Sequence, residues 1–271
     1  MNLEHIKLLH PKGVNRPTVL LVHGACMGAW VWQDNFLSYL FEKGFNVSAI
    51  SLRYHAGSSN EGSLRGTSIK NYVDDMKQIV EELTGDVFII GHSMGGFTIQ
   101  HYLNNVSPRV KGVVLLCSVP NTGLWKLIPK LVWDYPFHFL FSCLKMSWLP
   151  IINNESRLKK LMFSKTYPLD KVKKVNSFLQ DESFLAFLEM SFLRLPKLSA
   201  SPVPMMVVGA ADDYLISEAS TRRMATYFGV EPLIIKDAAH CFMLEPGWEK
   251  VADEVVGFFN GLLPRASQPL H

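Results

Sequence analysis

Short apolar, often β-branched runs alternate along the chain with stretches whose apolar positions recur every three or four residues. Residues 18–22 form the first compact apolar run, ending at His23-Gly24. Residues 32–43 have helical spacing, and 45–52 read as a strand. A second helical pattern fills 69–83, where Thr67 or Ser68 can cap the first turn. Further strands are predicted at 87–90, 112–117, 205–209 and 232–236, and the last two each precede a helical pattern. Strand and helix in strict alternation predict an α/β fold, a mostly parallel sheet with helices on both faces.

The alternation stops between Cys117 and Pro202. Prolines at 120, 129, 136, 150, 168 and 196 divide this stretch into short helical pieces, with no buried strand among them. It predicts a helical cap over 119–200, inserted into a core made of 1–118 and 201–271. The apolar run 137–144 is too short to span a bilayer, and Lys126, Lys130, Asp134 and Lys145 flank it. The tail 264–271 has no periodicity and reads as frayed.

Composition adds little until charge is mapped. With 48% hydrophobic residues the chain supports a large core, and a net charge of +3 points to no nucleic-acid partner. Residues 124–174, however, hold ten Lys/Arg against three Asp/Glu, a balance of +7, while the rest of the chain stands at −4. The same segment carries Trp125, Trp133, Phe137, Phe141 and Trp148. This basic, aromatic segment fits transient contact with an anionic membrane surface. It fits equally a solvated cap that buries an apolar face. Four cysteines at 26, 117, 143 and 241 lack metal-ligand spacing, and residues 1–5 lack a basic n-region followed by an apolar run. Reduced thiols in the cytoplasm, with no metal and no cofactor, are expected.

The chemistry concentrates where strands end. Gly91-His92-Ser93-Met94-Gly95-Gly96 follows an apolar strand and precedes a helical pattern, the context of a G-x-S-x-G nucleophile elbow. A serine hydroxyl needs a base, and the base needs an orienting acid. His240, just after the last strand, is the candidate base. The acid is Asp213 or Asp212, both just after the strand at 205–209. An oxyanion needs two fixed N–H donors, and the amides of Met94 and Ala25 are placed to serve. His92 is expected to pack beside the elbow, and His5, His10, His55 and His101 to be surface or structural. His138 is expected to pack or to line a pocket. Cys26 and Cys241, at both ends of the site, read as small apolar fillers.

On these motifs the chain resembles the α/β-hydrolase superfamily from about residue 6 to 263. Leu21-Val22-His23-Gly24-Ala25 is similar to that family's oxyanion loop. Residues 26–32 are similar to the loop of small-ester carboxylesterases that include the plant methylesterases. Residues 240–248 are similar to the C-terminal motif of bacterial esterase and lysophospholipase-like members. The resemblance favours Asp213 over Asp212, although Ser217 stands where the family usually has a proline. It implies a serine hydrolase that cleaves carboxylic esters carrying an apolar acyl or alcohol group. The superfamily also holds hydroxynitrile lyases and cofactor-free dioxygenases, so an oxygenase, a lyase or a non-catalytic small-molecule binder are the other readings. Related lyases carry threonine and lysine where this chain has Gly24 and Cys241. Dehalogenases and epoxide hydrolases carry aspartate where it has Ser93.

Overall fold

A computed structural model describes residues 2–11, 16–60, 62–198 and 200–264; of the tail at 264–271, only Pro264 lies within them. Seven strands form one sheet: β1 (His5–Leu8), β2 (Thr18–Val22), β3 (Asn46–Ile50), β4 (Val87–His92), β5 (Val110–Leu116), β6 (Met205–Ala210) and β7 (Pro232–Ile235). Their order is β1-β3-β2-β4-β5-β6-β7, and only β1 runs antiparallel to its neighbour. Strands β2 and β4 are buried along their whole length, which is why they read as unbroken apolar runs. β1 is a half-exposed edge strand of sequence HIKL. It has no apolar run, so the hydrophobic pattern gives no sign of it.

The helices are α1 (Ser38–Glu42), α2 (Ile69–Glu82), α3 (Met94–Tyr102), α4 (Leu127–Asp134), α5 (Pro136–Lys145), α6 (Leu149–Ile152), α7 (Glu155–Met162), α8 (Leu169–Phe178), α9 (Phe184–Leu188), α10 (Glu218–Phe228) and α11 (Trp248–Leu262). Strand side chains alternate between faces, and β4 shows that both faces are covered. Phe88 stacks on Phe259 of α11 at 4.3 Å between ring centroids, whereas Gly91, of opposite parity, abuts Gly95 and Ile99 of α3. Ser68 caps α2 through the Lys70 amide, and the Asn71 side chain closes a capping box. The helix expected at 32–43 begins earlier, at Ala29, as a 3₁₀ turn followed by a π turn, and only Ser38–Glu42 is α-helical.

Between β5 and β6 the described residues are helical or irregular, α4 through α9, with a π turn at Glu189–Leu193. No helix among the described residues is long and apolar enough to cross a membrane.

The chain runs from β2 outward to β3, then returns to place β4 on the other side of β2. This is a topological switch point, and Val22 pairs with Gly91 there. Loops leaving the carboxyl ends of β2 and β4 therefore diverge from adjacent points and leave a crevice between them.

Candidate active site

Ser93 closes β4 and precedes α3 with φ 51° and ψ −113°, a backbone conformation that non-glycine residues rarely adopt. Its amide donates to Leu116 O (3.0 Å), and its carbonyl accepts from the Phe97 and Val119 amides (both 3.2 Å). The turn is thus held by β5 and α3 together. A Cβ on Gly95 would lie 2.6 Å from the carbonyl oxygens of Val22 and His23, so only glycine lets α3 approach β2 this closely. Met94 is the first residue of α3, so its amide has no carbonyl inside the helix to bind.

The loop after β2 is fixed by histidine. His23 Nδ1–H donates to Gly24 O (2.7 Å), and its Nε2 accepts the Leu52 amide (2.9 Å). Burial, then the neighbouring His55, lowers the His23 pKa to about 3, so the ring is neutral and both bonds persist. Ala25 follows, and Cys26 takes φ 65°.

Asp213 and His240 come from the loops after β6 and β7. His240 Nδ1–H donates to Asp213 Oδ2 at 2.7 Å, and both side chains are buried. The other carboxylate oxygen, Oδ1, accepts the amides of Leu215 (2.8 Å) and Ile216 (2.9 Å), which fixes its plane. Asp212 is exposed, and its amide donates to Ala238 O (3.0 Å). Of the two aspartates left open by the sequence, Asp213 is the one that reaches the imidazole. His92 Nε2–H donates to the His240 carbonyl (3.0 Å), so the residue before the serine also fixes the backbone of the histidine loop.

Ser93, His240, Ala25 and Met94 all line one cavity, partly open to solvent. Its remaining walls are largely apolar: Leu127 and Leu131 of α4, Ile151 and Ile152 of α6, Leu161 and Met162 of α7. His138 is exposed on α5 and has no part in the lining. Cys26 does line it and Cys241 lies beside it, its thiol against Met162 Sδ at 3.7 Å. Burial pushes both thiols well above their ordinary range, which leaves them protonated and weak as nucleophiles. Burial raises Cys117 in the same way, and its thiol lies against Asp213.

One carboxylate in the lining is invisible to sequence reasoning. Glu182, from the segment between α8 and α9, is 1% exposed. Its Oε2 accepts the Cys26 amide and His55 Nε2–H (both 3.1 Å), and its Oε1 accepts the Tyr72 hydroxyl (2.6 Å) and the Ser183 amide (2.7 Å). His55 Nδ1–H donates to Arg53 O (2.9 Å). With both ring nitrogens donating, His55 is an imidazolium. Burial opposes that charge, but Glu182 outweighs burial and raises the His55 pKa. Burial likewise opposes the carboxylate, but His55 and Tyr72 outweigh it and lower Glu182. The Gln180 amide donates to Cys26 O (3.0 Å), so the segment between α8 and α9 holds the residue after Ala25 by both its polar backbone groups. No sequence signal marks Glu182, because three of its four partners are 110 to 156 residues away.

Parallel strands ending in a serine turn, an aspartate loop and a histidine loop define the class. The profile of the alpha/beta hydrolase family matches residues 19–254, and the chain belongs to that family. It is similar to Methylesterase 3 of Arabidopsis thaliana, 29% identical over 119 residues, 43% of this chain and 44% of that protein. It is also similar to a carbendazim hydrolyzing esterase of Nocardioides sp. (strain SG-4G), 31% identical over 117 residues, 41% of this chain and 47% of that one. The chain thus matches less than half the length of either relative. Among solved structures it is similar to BpoC of Mycobacterium tuberculosis H37Rv, described as a candidate non-heme bromoperoxidase. That match has a TM-score of 0.76 at 18% identity and covers 97% of each chain, a likeness of fold. Both of these curated relatives are named as esterases.

Proposed function

We propose that the protein hydrolyses carboxylic esters with an apolar acyl or alcohol group through a Ser93–His240–Asp213 triad. The observation that carries this reading is the buried 2.7 Å bond from His240 to Asp213, on a cavity that Ser93 also lines. With Nδ1–H committed to Asp213, the free Nε2 of His240 is the base. Ser93 Oγ attacks the ester carbonyl and passes its proton to Nε2. The amides of Ala25 and Met94 hold the tetrahedral oxyanion. Collapse expels the alcohol, which takes the proton from His240 and leaves an acyl-Ser93. Water, deprotonated by His240, then attacks the acyl group; the acyl–Oγ bond breaks, His240 returns the proton to Ser93 Oγ, and the acid leaves. Asp213 orients the ring and stabilises the imidazolium. The apolar walls favour an apolar substrate group over a sugar or a multiply charged metabolite. The chain supplies every group this reaction uses, so no cofactor is part of it.

A series of para-nitrophenyl esters from acetate to palmitate tests the reading. Turnover by the parent, reduced at least about 10³-fold in kcat/KM by Ser93→Ala, is the expected result. Oxygen uptake without ester turnover would instead favour an oxygenase. Ligand-induced thermal shifts without any turnover would favour a binding protein.

A further inference from the structure

Helix α4 carries apolar residues on both its inner and its outer face, and α5 carries them on its outer face. On α4, Leu127 and Leu131 point inward and line the cavity. Trp133 points outward and is 86% exposed, and Trp125 and Val132 are exposed as well. On α5 the exposed large apolar residues are Phe137, Leu140, Phe141 and Leu144, with Phe137 at 82%; Pro136, His138 and Lys145 are exposed as well. Their spacing is i, i+3, i+4, i+7, the stripe by which a helix buries one face, yet here it faces solvent. Eight of the fourteen exposed large hydrophobics among the described residues lie between 125 and 146. Exposed apolar side chains concentrated on two helices that pack on each other mark an interaction site.

The charges name the partner. Lys126 Nζ sits 5.2 Å over the Trp125 ring, and Lys145 Nζ 4.5 Å over the Phe141 ring. Both lysines are exposed, so their stems lie on the aromatic patch while their heads are free to reach beyond it. Asp134, the acid of α4, is already bound to Lys160 (3.0 Å) and the Tyr214 hydroxyl (2.8 Å). The segment 124–174 keeps its +7 balance. A second copy of this chain seated here would set lysine against lysine. A lipid surface with anionic headgroups offers the complement: acyl chains for the aromatic stripe and phosphates for the lysines.

We propose that the outer faces of α4 and α5 seat on an anionic lipid bilayer, and that the site takes its ester from that bilayer. The docking half stands on the patch alone. The substrate half rests on the ester-hydrolase reading and on α4, whose opposite face is a wall of the cavity. A bilayer-resident ester then has only α4 and its neighbours to pass before reaching Ser93.

The test uses the whole protein with vesicles of phosphatidylcholine, alone or with roughly 30% phosphatidylserine, at low and high salt. The protein should sediment with the anionic vesicles at low salt, and less at high salt. A Trp133→Ser, Phe137→Ser double variant should lose at least about tenfold in vesicle affinity. The same variant should keep its turnover of a soluble acetate ester while losing turnover of a long-chain ester embedded in the vesicles. No sedimentation with anionic vesicles overturns the docking. So does equal binding to neutral ones, or a parent dimer that the double variant splits. Vesicle binding without turnover of either ester upholds the docking and overturns the substrate half.

Discussion

At the scale of single residues, the site depends on a few contacts with no slack. Asp213 and Asp212 are neighbours in sequence, but only Asp213 bonds to His240. Asp213→Asn should lower kcat by about 10²- to 10⁴-fold, because an amide at that place favours the wrong imidazole tautomer. Asp212→Asn, at an exposed position, should stay within about twofold; side-by-side kinetics on one ester decide this. Gly95 is equally constrained. Gly95→Ala places a methyl against two backbone carbonyl oxygens at 2.6 Å, and neither can swing aside. A loss of about 1–3 kcal/mol in urea unfolding is expected. Serine, glycines and histidine were legible in the sequence because the chemistry needs those residue types at strand ends. The choice between the aspartates was not. It depends on which carboxylate the loop after β6 turns inward, a matter of the turn that feeds its Oδ1 with two amides.

At the scale of elements, the inserted segment matters through Glu182. It ties the residue after Ala25 to a buried imidazolium, so the proposed oxyanion donor and the segment between α8 and α9 share one anchor. Glu182→Gln removes the carboxylate charge and strands His55, which should cost about 3 kcal/mol. The pH dependence has a definite sign. The folded pKa of His55 is raised above its ordinary 6.5, so its contribution is full below 6.5 and fades as pH rises through the folded value. The folded pKa of Glu182 is lowered below 4.5, so its contribution is full above 4.5 and fades as pH falls through the folded value. The stability gap between parent and Glu182→Gln should therefore be widest between pH 4.5 and 6.5; urea unfolding across pH measures it. A gap that does not change with pH would remove the ion pair from the explanation. Strands such as β2 and β4 were legible because burial on both faces leaves an unbroken apolar run. Glu182 was not, because an acid in a helical stretch reads as solvated until its distant partners are folded around it. β1 escaped for the reverse reason, being half exposed and paired on one side only.

At the scale of the molecule, one sheet sets four loops at its carboxyl edge, and α4, α6 and α7 line the same cavity. The cavity between is apolar, and Glu182, its carboxylate, is already satisfied by four donors. Esters should therefore be turned over faster as the acyl chain lengthens, until the space is filled, with each methylene worth at most about 1–3 kcal/mol. Leu131→Phe, which fills part of that space from α4, should shift the optimum to a shorter chain. An unchanged optimum would place the acyl group elsewhere. The proposed chemistry is most directly tested at its first step, by labelling the native protein with a fluorophosphonate and mapping the adduct by mass spectrometry. A single adduct on Ser93 that is lost in His240→Ala is the predicted result. No adduct, an adduct on another residue, or equal labelling without His240 would contradict it.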